Sequence, residues 1–152
     1  MISRRTLLVA LLMLCTAFMA CRKSALVYDT PPRDIPAVSE RKLSLDEVKA
    51  AIIRGANSRG WTIESQAPGV ITANIVMRNK HSATVDICYT ETSFDIKYRD
   101  SSNLKYNPQT KTIHPNYDRW VSYLSDSISR ELRNASQLPS AQLPPEQSPP
   151  AQ

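Results

Sequence analysis

Glycine is scarce in this chain, with three residues in 152, at positions 55, 60 and 69. A loop that cradles phosphate needs closely spaced glycines so that backbone N–H groups can approach the anion, and this spacing excludes one. Histidine is scarcer still, at His81 and His114 alone. A metal centre draws on several convergent His, Cys or carboxylate ligands, which no spacing here supplies, so neither a metal nor another cofactor is expected. Ser, His and Asp all occur, but no nucleophile-elbow sequence is present to anchor a triad. Long hydrophobic runs are missing too: the apolar stretch from Leu7 to Leu14 falls well short of the ~20 residues of a membrane-spanning helix. There is no internal repeat.

What the N-terminus does contain is an export pattern. Arg4 and Arg5 precede the apolar stretch and the first twenty residues carry no acid, so residues 1–20 read as a signal peptide. The segment Phe18-Met19-Ala20-Cys21 resembles the bacterial lipobox. That resemblance implies diacylglycerol on the Cys21 thiol, cleavage in front of it, and acyl chains that hold the mature protein on a membrane. Ala20 gives the small side chain that cleavage requires, while Phe18 stands where the motif usually has Leu. Cys15 is the poorer candidate because Leu14 precedes it. Ser3-Arg4-Arg5-Thr6-Leu7-Leu8 also resembles a twin-arginine motif, but nothing later in the chain implies a cofactor loaded before export, and the general secretory route is expected. Arg22 follows Cys21 where the inner-membrane retention signal of enteric bacteria has Asp, so the resemblance implies the outer membrane, facing the periplasm.

Cleavage leaves roughly 130 residues, enough for one domain. The formal charge of +5 loses two arginines and no acid, leaving +3. Basic and acidic residues alternate throughout, whereas nucleic-acid binding shows as a clustered basic stripe, so that partner is set aside. With Cys21 acylated only Cys88 remains, which excludes an intrachain disulfide and leaves stability to a packed core.

Residues 21–41, with Pro31, Pro32 and Pro36, read as the lipidated Cys followed by an extended tether able to hold a domain up to ~60 Å from the membrane. A strand added near Ile35–Val38 is the alternative. Residues 135–152 hold Pro, Gln, Ser and Ala with Glu146 as their only charge, the composition of a disordered tail. Between them, residues 42–134 carry clear periodicities. Ser44-Leu45-Asp46-Glu47 has the capping-box form and predicts a helix, with Leu45, Val48, Ile52 and Ala56 on its stripe, Ile53 widening it, and Gly60 as its stop. Four stretches of period two follow: Trp61–Glu64, Ile71–Arg78, Ala83–Tyr89 and Phe94–Arg99. Pro68-Gly69, Asn79-Lys80 and Thr90-Glu91-Thr92 turn the chain between them. A last helix is predicted over Asn116–Leu132, capped by Asn116, with Trp120, Leu124, Ile128 and Leu132 as its stripe. The expected fold is α+β: a two-layer sandwich of a four-stranded antiparallel meander with both helices on one face, in the order α-β-β-β-β-α. Leu104–His114 reads as a small extra hairpin or a loop of that shape.

Alternation places Cys88 on the polar face beside Asp86, whose negative charge disfavours a reactive thiolate. Trp61 and Trp120 fall on apolar stripes and read as core. The segment Asp100–Tyr117 gathers amides, aromatics, a His and a Lys near a helix N-terminus, a mix that suits glycan or peptide recognition. Asn103, Lys105, Tyr106, His114 and Tyr117 are its candidate binding residues. The competing reading is scaffold, in which the Asn and Ser residues shape turns, Tyr106 and Tyr117 pack on the sheet edge, and Asn116 caps the helix.

This segment, with Gly60-Trp61, Pro68-Gly69, Val85-Asp86-Ile87 and Tyr98-Arg99-Asp100-Ser101, resembles a group of small proteobacterial lipoproteins of unassigned function. The resemblance covers about residues 43–133 plus the signal and implies a single lipid-tethered domain; it carries over no site residues. The expected function is a membrane-anchored, non-enzymatic periplasmic module that binds an envelope protein or cell-wall glycan. The rivals are a small hydrolase or transferase using His114 with a nearby Asp or Ser, and a purely structural envelope component. Convergence of His114 on an acid and a nucleophile in a concave pocket favours catalysis, and an open polar sheet or exposed edge favours recognition.

Overall fold

A computed structural model of the chain describes residues 25–27, 29–35 and 42–137. The signal segment, Cys21 and the chain after 137 lie outside the described residues. In chain order the elements are β1 (Ala25–Leu26), β2 (Arg33–Asp34), α1 (Leu45–Asn57), β3 (Thr62–Ala67), β4 (Val70–Met77), β5 (His81–Tyr89), β6 (Ser93–Ser102), β7 (Thr112–Ile113) and α2 (Asn116–Gln137). A five-stranded antiparallel sheet runs β2-β6-β5-β4-β3, and β1 pairs separately with β7. This is the two-layer α+β sandwich, with five strands where periodicity shows four.

Local chemistry explains most boundaries. The Ser44 hydroxyl accepts the Glu47 N–H at 3.3 Å while the Glu47 carboxylate accepts the Ser44 N–H at 2.9 Å, so both ends of the capping box satisfy a free donor of the first turn. Val48, Ala51, Ile52, Gly55 and Ala56 form the buried face of α1. Leu45, placed on that stripe by its spacing, sits in the first turn and stays exposed. Pro68 and Gly69, the latter at φ +74°, form the two-residue link from β3 to β4, where a residue with positive φ is needed after the proline.

Alternation along β5 is complete: Ala83, Val85, Ile87 and Tyr89 are buried and the residues between them are half-buried. Ile71, Ala73, Ile75, Phe94 and Ile96 continue the same buried layer beneath the helices. Met77 does not, because the layer above the sheet ends before the strand does, and it is exposed. The two helices run antiparallel and touch closely: Ser58 Oγ lies 2.8 Å from Ser127 Oγ, and Arg54 pairs with Glu131 at 3.1 Å. Tyr117, Val121, Leu124, Ile128 and Leu132 form the buried stripe of α2, with Trp120 half-buried at its margin and Trp61 buried at the end of α1.

Two expected boundaries are corrected. In the stretch read as an extended tether, Ala25–Leu26 pairs with β7, and residues 29–35 dock along the edge that β6 would otherwise leave open. The Thr30 N–H donates to Ile96 O at 3.0 Å, the Ile96 N–H to Thr30 Oγ1 at 2.7 Å, and the Tyr98 N–H to Asp29 Oδ1 at 2.9 Å. Arg33–Asp34 then pairs with Phe94 and Ser93, and the Ile35 N–H donates to Thr92 O at 2.8 Å. A short strand forms in this stretch at Arg33–Asp34; of Ile35–Val38, where the sequence offered one, only Ile35 lies among the described residues. A strand edge exposes unpaired donors and acceptors, and covering them explains why a proline-bearing arm orders. At the other end α2 continues to Gln137 and buries Ala135 and Ser136, which the composition had assigned to the tail. Nothing in the sequence breaks a helix before Pro139.

Candidate functional site

The segment from Asn103 to Tyr117 wraps one end of the sandwich, and its side chains are largely committed to holding that end together. Asn103 sits at φ +57°, a conformation Asn tolerates better than most residues. Its Nδ2 donates to Lys80 O at 2.7 Å, and its own carbonyl lies 2.9 Å from His81 Nδ1. The end of β6 is thus locked onto the turn between β4 and β5. Leu104 is buried, and the His114 N–H donates back to Leu104 O at 2.8 Å. Between them Asn107 Oδ1 accepts the N–H groups of Gln109 and Thr110 at 2.9 and 3.1 Å, an Asx turn that closes the small hairpin.

His114, not Asn116, caps α2. The Asn116 N–H donates to His114 Nδ1 at 3.2 Å, and the Tyr117 N–H to the His114 carbonyl at 2.9 Å. Asn116 is the first residue of α2, and Pro115 before it has no N–H to leave unpaired. As an acceptor through Nδ1, the neutral imidazole carries its proton on Nε2. Among the described residues His114 makes no hydrogen bond to a carboxylate or a hydroxyl, and no group of three His, Cys, Asp or Glu could hold a metal ion.

Tyr117, expected as a binding residue, is fully buried core. Its ring meets Tyr98 edge-on at 5.5 Å, and Tyr98 in turn lies 4.5 Å from the ring of Tyr106. The Tyr98 hydroxyl sits 3.0 Å from Ser101 Oγ. The Tyr117 hydroxyl has no hydrogen-bond partner among the described residues. Burial, then the negative charge of Asp29, pushes its phenol far above the ordinary value, so it stays protonated across the accessible pH range. Of the five candidates Asn103, Lys105 and Tyr106 are exposed, though the Asn103 amide is committed to Lys80 O, while His114 is half-buried and Tyr117 buried.

The sheet face away from the helices is the surface that remains open. Thr72 on β4 pairs directly with Asp86 on β5, and its hydroxyl donates to Asp86 Oδ1 at 2.8 Å. Arg99 reaches the same oxygen at 2.9 Å. It does so from an irregularity in the β5–β6 register, where Thr84 faces Asp100 and Val85 faces Tyr98, so that Arg99 is the extra residue. Asn74 donates to Thr84 Oγ1 at 2.9 Å, and Lys97 pairs with Asp95 at 3.3 Å. Cys88, opposite Asp95, is half-buried on this face. Burial, then the Asp95 charge, raises its pKa and keeps the thiol protonated, as its position beside acids suggested. Alternation put these residues on one face; which of them touch depended on the cross-strand register and the bulge.

The chain matches no protein-family model, no curated protein and no solved structure.

Proposed function

We propose that the protein is a lipid-anchored envelope lipoprotein, held through acylated Cys21 on the periplasmic side of the outer membrane, and that its domain is a non-enzymatic recognition module. The observation that carries the second half is the open sheet face. Among the described residues helices cover one side only, and the other presents the Thr72–Asp86–Arg99 cluster with Asn74, Thr84, Asp95 and Lys97. No aromatic side chain lies among these residues. Glycan platforms usually offer aromatic rings to sugar faces, whereas paired charges and hydroxyls on a flat sheet suit a protein surface, so an envelope protein is the partner proposed. The use of His114 as a helix cap weighs against the hydrolase or transferase reading. The anchor rests on the signal pattern and the lipobox resemblance.

A clickable fatty acid tests the anchor: the wild type should take up label and Cys21→Ser should not. Label-free wild type, or labelled Cys21→Ser, would overturn it. A photocrosslinking residue at Lys97, on the open face, should give a discrete protein adduct in intact envelopes, while one at Tyr123, exposed on α2, should not. Adducts from Tyr123 alone, or from neither position, would remove the open face as the recognition surface and favour a purely structural component.

A further inference from the structure

The docked arm changes where the domain sits relative to its anchor. Ala25 pairs with Ile113, and the Val27 N–H donates to Lys111 O at 2.7 Å. Only residues 22–24 separate Cys21 from Ala25, a span of at most about 14 Å even when fully extended. A tether of that length cannot lift the domain clear of the bilayer. It holds the end formed by β1, β7, the 103–111 loop and the 78–80 turn close to the headgroups.

That end has a chemistry of its own. The contacts of Asn103 with Lys80 and His81 bring the β4–β5 turn beside the 103–111 loop. Arg78, Lys80, Lys105 and Lys111 are all exposed there. Neither residues 76–81 nor residues 101–117 contain an Asp or Glu. Leu26, 71 % exposed, and Tyr106, 36 % exposed, add apolar and amphipathic surface to the same end. The nearby carboxylate of Asp29 is turned onto the Tyr98 N–H along β6. Cations with an apolar and a phenolic side chain among them match the interface of an anionic bilayer, where charge attracts and Tyr rests at headgroup level. The short tether brings the cations within a Debye length or two of the lipid, about 8–10 Å each at ordinary ionic strength.

We infer that this basic end docks on the anionic phospholipid headgroups of the membrane that carries the anchor. The inference rests on the proposed acylation of Cys21. Docking fixes the domain's orientation and holds the open sheet face to one side, free for its partner.

The test uses the acylated mature protein in vesicles of phosphatidylethanolamine with phosphatidylglycerol, and in vesicles of phosphatidylcholine alone. Amide hydrogen exchange over residues 103–111 should be at least several-fold slower on the anionic vesicles, and the difference should vanish in 0.5 M salt, about where screening shortens to a few ångströms. K105E/K111E should abolish the protection while fatty-acid labelling of Cys21 and the melting temperature hold. Labelled protein with equal exchange on both vesicle types overturns the docking and leaves the anchor standing. Protection that survives 0.5 M salt, or that appears only when envelope protein is added, also overturns it. Unlabelled Cys21 overturns the anchor itself, and the docking with it.

Discussion

His114 and Tyr117 show how a side chain's neighbours decide its use. His114 Nδ1 accepts one of the free N–H groups at the start of α2, so His114→Ala should cost ~0.5–2 kcal/mol, the range for a lost N-cap. Asn116→Ala, inside the first turn, should change stability by no more than ~0.5 kcal/mol. Urea denaturation of both variants checks this, and the reverse ranking would return the cap to Asn116. Tyr117 makes a second, pH-dependent case. Its phenol stays protonated in the fold, whereas in the unfolded chain it ionises near pH ~10. Above that pH the unfolded state holds fewer protons than the native one, so Tyr117 makes stability fall by about 1.4 kcal/mol per pH unit. Its contribution is undiminished below pH ~10 and lost as pH rises through the alkaline range. Tyr117→Phe removes a buried hydroxyl that has no partner among the described residues, and should flatten this alkaline slope while leaving stability at pH 7 unchanged or higher. Parallel denaturation curves at pH 8 and pH 11 measure it; equal slopes in both proteins would show that the hydroxyl ionises in the native state.

Among the elements, the contact between α1 and α2 is set by one missing side chain. A Cβ on Gly55 would lie 2.8 Å from Ile128 Cα and 2.9 Å from Ile128 N. Those are backbone atoms of the facing helix and cannot turn aside. Alanine is the better helix former by about 1 kcal/mol, yet Gly55→Ala should destabilise by ~1–3 kcal/mol, because separating the helices outweighs propensity. Thermal melting decides between the two effects, and an unchanged or raised midpoint would show that the helices can part at little cost. Composition gives no hint of this, since a glycine mid-helix reads simply as a weak position. The β6 bulge is similar. Alternation stays clean up to Arg99, and beyond it Ser101, not Asp100, returns to the helix side opposite Ala83.

For the molecule as a whole, residues 25–27 and 29–35 of the arm cover open strand edges. A chain begun at Pro36 would leave β6 with the open donors and acceptors that Thr30, Asp29 and β2 now occupy. It should therefore elute as larger species than a chain that keeps the arm; an unchanged oligomeric state would show the edge protected by other means. Local pattern sufficed for much of the architecture. The capping box started α1, and alternation laid out four strands and most of their buried residues. These rest on neighbours one to four residues apart, which a sequence displays directly. The fifth strand, the close approach at Gly55, the burial of Tyr117 and the Thr72–Asp86–Arg99 contact join residues 13 to more than 60 positions apart. The sequence by itself placed Asn103, Lys105, Tyr106, His114 and Tyr117 in one segment that leads into a helix start. Only the tertiary structure decided which of them are scaffold and which face outward, because burial and hydrogen-bond partners belong to the packed chain and not to any stretch of it.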